Sequence, residues 1–96
     1  MAIYLVGYDL KEGEDYSSLT TALRGFGTWW HCLDSTWLVE SDLTALQVHA
    51  RLWQHMKSGD RLLVLNYLQS DQGGSAAWQG FREHDPICES WLEEHL

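Results

Sequence analysis

Two almost wholly apolar runs frame residues 1–68 of the chain. Residues 3–10, Ile-Tyr-Leu-Val-Gly-Tyr-Asp-Leu, combine aromatic and β-branched side chains and predict a buried strand. Alternation places Ile3, Leu5, Gly7 and Asp9 on one face and Tyr4, Val6, Tyr8 and Leu10 on the other. Arg61 to Leu68 is the second run, again read as a buried strand. After a polar loop, Lys11 to Glu14, Asp15 is expected to cap a helix by accepting from the free amides of its first turn. Tyr16, Leu19, Ala22, Leu23 and Phe26 follow at helical spacing, and Gly25 and Gly27 are expected to end the helix in a left-handed turn.

Thr28 to Glu40 is rich in Trp and Thr and reads as strand, interrupted near Leu33-Asp34-Ser35 by residues that favour turns and bulges. Two short strands or one bent strand both fit. Thr44-Ala45-Leu46-Gln47 matches a capping box and opens a helix whose Ala45, Val48, Leu52 and Met56 share a face beside Trp53. Lys57 suits the negative end of its dipole, and Gly59 its termination.

The order strand, helix, strand, strand, helix, strand over residues 1–68 is that of an α+β, ferredoxin-like (split βαβ) antiparallel sheet with two helices on one face. Residues 69–96 read as an appendage of the same domain. It comprises a loop over Gln69 to Ser75, a helical turn over Ala76 to Phe81, and a short helix. That helix opens at Asp85-Pro86 and carries an apolar stripe of Ile87, Trp91 and Leu92. The expected core is Leu5, Leu19, Leu23, Trp37, Leu38, Val48, Leu52 and Val64.

Charge narrows the choice of partner. The net charge is −8, and residues 1–68 hold 8 acids against 5 bases while residues 69–96 hold 6 against 1. Lys11, Arg24, Arg51, Lys57 and Arg61 are scattered, so tight binding to a nucleic-acid backbone is disfavoured. No apolar stretch is long enough to span a membrane, and Met1-Ala2-Ile3-Tyr4 lacks the basic start of a signal peptide. A cytoplasmic protein with Cys32 and Cys88 as free thiols is the expectation.

Tyr8-Asp9, the Trp-Trp-His-Cys-Leu-Asp-Ser-Thr-Trp segment at 29–37, and Ala76-Ala77-Trp78-Gln79-Gly80-Phe81 together resemble the small bacterial proteins of the SinR family. These are distinct from the helix-turn-helix regulator of that name, and the resemblance covers nearly the whole chain. That family in turn resembles the CRISPR-associated adaptation protein of the Cas-two type and the VapD-type ribonuclease toxins. The resemblance implies a ferredoxin-like subunit that dimerises by joining sheets. It also implies that Asp9 matches an aspartate associated with metal-dependent phosphodiester cleavage. This chain is acidic where nucleic-acid-binding relatives are basic, and its Trp78 and Trp91 tail differs from their swapped strand.

Asp9 is therefore the first candidate for chemistry. Two copies across a two-fold axis could hold one Mg²⁺, which prefers carboxylate and water oxygens and lowers the pKa of a bound water. The structural alternative is a carboxylate that caps the strand-to-loop turn. His31, Asp34 and Ser35 are the second candidate. Strand alternation puts His31 with Leu33 and Ser35, opposite Asp34, unless a bulge changes the register. A His base beside a Ser would permit acyl or phosphoryl chemistry, yet no oxyanion loop accompanies it. A polar bulge bonded to its own backbone is the alternative.

His49 and His55, six apart on one helix, do not share a face, and Cys32 and Cys88 form no Cys-x-x-Cys motif, so a zinc site is not expected. The six Trp residues suit a core or a subunit interface better than a base-stacking surface. The expected protein is a homodimer, either a non-catalytic regulatory or defence-associated module of nuclease ancestry or a Mg-dependent nuclease. An acidic anti-defence or DNA-mimicking protein is a further alternative.

Overall fold

Ala2–Asp9 forms β1, the strand on which the others assemble. The computed structural model describes residues 2–68 and 76–96, and the loop expected over 69–75 lies outside them. In chain order β1 is followed by α1 (Ser17–Arg24), β2 (Trp29–Leu33), β3 (Thr36–Ser41), α2 (Ala45–Trp53), β4 (Arg61–Tyr67), α3 (Phe81–His84) and α4 (Pro86–His95). The sheet has the order β2-β3-β1-β4, and every neighbouring pair is antiparallel. The protein is thus an α+β fold around a four-stranded antiparallel sheet.

The register follows from the alternation in β1. Tyr4 and Val6 face α1 and α2, opposite Val39 and Trp37 of β3. With Leu19, Leu23, Phe26, Val48 and Leu52 they make the larger core, and Val6, Leu23, Val39, Val48 and Leu52 are completely enclosed. On the other face Ile3 and Leu38 meet Trp30, Cys88 and Leu92, a second core shared between the sheet and α4. Expected core residues Leu5 and Val64 are only half-buried, because this second core covers part of one face and β4 lies at an edge.

Local signals explain the ends of the elements. The capping box of α2 is formed, with the Thr44 hydroxyl accepting from the Gln47 amide at 3.2 Å and the Gln47 side chain accepting from the Thr44 amide at 2.9 Å. Asp85 caps α4 by accepting from the Ile87 amide at 3.0 Å, with Pro86 at the first helical position. The chain between Trp29 and Ser41 is two strands, with Asp34 and Ser35 as the turn between them and an irregular register between Trp30 and Leu33.

Several expectations are corrected. Asp15 accepts from the Ser17 amide, but α1 starts later than expected and Tyr16 occupies its cap position. Gly25 ends α1 with a right-handed φ of −79°, its amide shared between the Thr21 and Ala22 carbonyls; among the described residues Gly13, Gly59 and Gly80 hold the positive φ values. Helix α2 stops at Trp53, so Lys57 lies beyond it and its ammonium bonds to the Asp15 carbonyl. The turn expected over 76–81 begins only at Phe81. In α4 it is Cys88 and Leu92 that are buried while Ile87 is 77% exposed, a rotation of one helical position. The strand Arg61–Tyr67 is not buried: Leu63 and Leu65 are about half exposed on an edge strand.

The largest correction concerns the cysteines. Cys32 and Cys88 are joined by a disulfide, with Cα atoms 6.3 Å apart and a sequence separation of 56. Two residues after Trp30 in β2, Cys32 shares its face of the sheet toward α4, and the Trp30 indole N–H donates to the Cys88 carbonyl at 3.0 Å. The pair therefore fixes α4 to the sheet.

Leu52→Ala should lower stability by about 2–5 kcal/mol, read by denaturant titration, because the leucine is fully enclosed and the site cannot collapse completely. A loss under about 1 kcal/mol would contradict the packing of α2 on the sheet.

Candidate functional site

Asp9 ends β1 on the half-covered face of the sheet, directly opposite Arg61 of β4. Its carboxylate lies 3.9 Å from the Arg61 Nε, and both side chains are mostly in water. The carboxylate is an exposed partner of a guanidinium and not the cap on backbone amides that the structural alternative expected. Among the described residues no three His, Cys, Asp or Glu side chains come together in a metal-binding group. A single Asp9 supplies one ligand for a hard cation, so any Mg²⁺ site would have to be completed by a second copy.

His31 lies on the opposite face. Its ring stacks on Trp37 with centroids 4.0 Å apart and planes 12° apart, and its Nε2 meets the Asp34 carbonyl at 3.1 Å. Trp37, itself buried, donates its indole N–H to the Tyr8 hydroxyl at 2.9 Å, and Trp29 packs against it at 5.3 Å with the Arg24 guanidinium above. Asp34 and Ser35 form the exposed turn, where the Ser35 carbonyl accepts from the Tyr8 amide at 3.1 Å. His31 thus contacts the turn backbone, and no hydrogen bond joins it to the Ser35 hydroxyl among the described residues. The arrangement stiffens the β2–β3 turn. It brings His31, Asp34 and Ser35 together in space without aligning a base on a nucleophile.

The most connected carboxylate was not among the sequence candidates. Asp60, buried between α2 and β4, accepts from the Lys57 amide at 2.7 Å, the Lys11 amide at 3.0 Å and the Tyr16 hydroxyl at 2.7 and 2.8 Å. Burial pushes its pKa up, but the amide of Lys57, the Tyr16 hydroxyl and the Lys11 amide outweigh that and hold it below the ordinary carboxylate value. The Tyr16 hydroxyl moves the other way, raised by desolvation and by its bond to Asp60. Asp60 therefore joins the loop after β1 to the loop after α2. Its partners come from distant parts of the chain, and only its place beside Gly59 hinted at a turn.

Between the sheet and the tail lies an open cavity of about 450 Å³, lined by Leu5, Trp30, Leu38, Trp78, Phe81 and Leu92 among others. It is aromatic and apolar, with Thr36 and Gln79 as polar groups at its wall. Leu33 at its wall, and Leu63 and Leu65 on β4, are exposed.

Asp60→Asn should lose stability at neutral pH, since it removes an acceptor from three donors. A depressed carboxylate contributes stability above its unfolded pKa of about 3.9, and that contribution fades as pH falls through the lower folded value. The gap between wild type and Asp60→Asn should hold steady from neutral pH to about 5 and narrow below about 4, as measured by denaturant titration at each pH. A gap that widens on acidification would contradict the assignment. Asp9→Asn, by contrast, should change stability by less than about 1 kcal/mol, because its ion pair is solvated.

Comparison with protein-family models, curated proteins and solved structures finds no match for this chain.

Proposed function

We propose that this chain is a non-catalytic binding or regulatory module that works as a homodimer. The half-open sheet face carries the reading: Leu33, Leu63 and Leu65 are exposed there, and among the described residues β4 is an edge strand of the sheet. An exposed apolar edge strand without Pro or bulge invites pairing with another chain, and a second copy meets it under two-fold symmetry. The same proposal takes the fold as ferredoxin-like and akin to the SinR family and the Cas-two and VapD types. The order β2-β3-β1-β4 supports it, since β3 lies between β1 and β2 while β1 lies between β3 and β4. It also places the protein in the cytoplasm, in a role associated with defence. Among the described residues, no helix is long and apolar enough to cross a membrane.

A second reading, a Mg-dependent nuclease, draws on the position of Asp9. It shares the open face with Leu63 and Leu65, so association through that face would bring two Asp9 carboxylates toward one axis. The net charge of −8 weighs against nucleic acid as a partner.

Light scattering across the micromolar range should give twice the 11.1 kDa chain mass, and Leu65→Asp should return the protein to monomer without unfolding it. A wild-type monomer would overturn the dimer. Purified protein should leave single- and double-stranded RNA and DNA uncut with Mg²⁺ or Mn²⁺. Cleavage that disappears in Asp9→Asn would instead establish the nuclease.

A further inference from the structure

We propose that Cys32–Cys88 is a redox latch that holds the tail over the sheet, and that its reduction opens the second face while the rest of the domain stays folded.

The two cores differ in their dependence on the tail. The core between the sheet and helices α1 and α2 has Tyr4, Val6, Leu19, Leu23, Phe26, Trp37, Val39, Val48 and Leu52 as its buried members, all from residues before the tail. The second core joins Ile3, Trp30 and Leu38 of the sheet to Cys88 and Leu92 of α4. Opening the tail therefore leaves the first core whole. Helix α4 is ten residues long, and a helix of that length is marginal in water without tertiary support. Besides the disulfide it is held by Leu92, by Trp91 and Leu96 packed against the second core, and by two indole hydrogen bonds, Trp30 to the Cys88 carbonyl and Trp91 to the Thr28 hydroxyl, both at 3.0 Å. Such a segment is a separate unit of local stability.

The chemistry needs only a thiol reductant. A thiolate from a small thiol attacks the Sγ of Cys32, which is half-buried and the more exposed of the pair. The S–S bond breaks and its electron pair leaves on the Cys88 Sγ, which then takes a proton. A second thiol attacks the mixed disulfide, releasing the Cys32 thiol and a disulfide of the two reductant molecules. Two electrons and two protons are thereby transferred to the protein. Cys88 lies in the first turn of α4, where the positive end of the helix dipole favours a thiolate and so makes it the better leaving sulfur. Once free, α4 uncovers Ile3, Trp30 and Leu38 beside the already exposed Leu33, Leu63 and Leu65, giving one continuous apolar face.

The test uses the full chain, oxidised and then equilibrated in glutathione buffers of varied ratio, with thiols counted by alkylation and mass. Hydrogen exchange is measured in both states. The disulfide should open in millimolar reduced glutathione and re-form on reoxidation. In the reduced protein, α4 amides should exchange on the order of 10²-fold faster, the scale expected for losing such a cross-link, while β1 and β3 keep their protection. Cys32→Ser should reproduce the open state without reductant; if that variant does not fold, reduction of the wild type still decides the matter. A disulfide that stays intact in reduced glutathione would overturn the latch. So would unchanged protection of α4 after reduction, or joint loss of protection in α4, β1 and β3, which would mark a staple for the whole domain.

Discussion

Strand β1 is apolar on both sides, and the molecule is organised by the need to cover both. Tyr4 and Val6 point one way, Ile3 and Leu5 the other. Helices α1 and α2 satisfy the first direction completely, since their Leu19, Leu23, Val48 and Leu52 close over it. The short helices α3 and α4 cover β2, β3 and the Tyr67 end of β4 but leave Leu63 and Leu65 exposed. One sheet thus has a sealed face and a half-sealed face, and every candidate interaction surface derives from that inequality.

Polar groups fill the ends of this frame. Asp60 gathers donors from two loops, and His31 is stacked on a buried indole with its nitrogen against a turn carbonyl. Both are bound to backbone or to neighbouring side chains in ways that stiffen loops. Asp9 differs, being exposed with Arg61 beside it. A carboxylate in that position is free to change partner when another surface arrives.

Much of this fold was legible because it rests on local physics. The alternation of β1, the Thr44–Gln47 box and Asp85-Pro86 each act within a few residues, and each is present as read. What escaped depends on distant neighbours. Two cysteines far apart give no spacing that signals a bond, and only the docking of α4 beside Trp30 brings them together. The choice of Cys88 over Ile87 as the buried residue of α4 is a rotation of about 100° that a weak apolar stripe cannot specify. The apolar run in β4 resembled a central strand, since composition does not reveal which strand the sheet leaves at its edge. Asp9 was singled out by position and family likeness, Asp60 by neither, and only packing separates an exposed carboxylate from a buried one.

The place of β1 in the sheet has a consequence for how the chain acquires its shape. It precedes both of its partners: Tyr4 is paired with Val39 and Val6 with Val64. During synthesis the most apolar strand of the sheet emerges first and waits, without a ladder on either side, until β3 and then β4 follow. Pairings over such long separations close large loops before they gain contacts, which slows folding. Strands β3 and β4 also both lie within the segment that Cys32 and Cys88 enclose. If that covalent ring shut while β1 was still outside, the two strands could pair with each other and leave the central position filled wrongly. Correct assembly therefore favours a chain that stays reduced until β1 is seated, so that oxidation comes last.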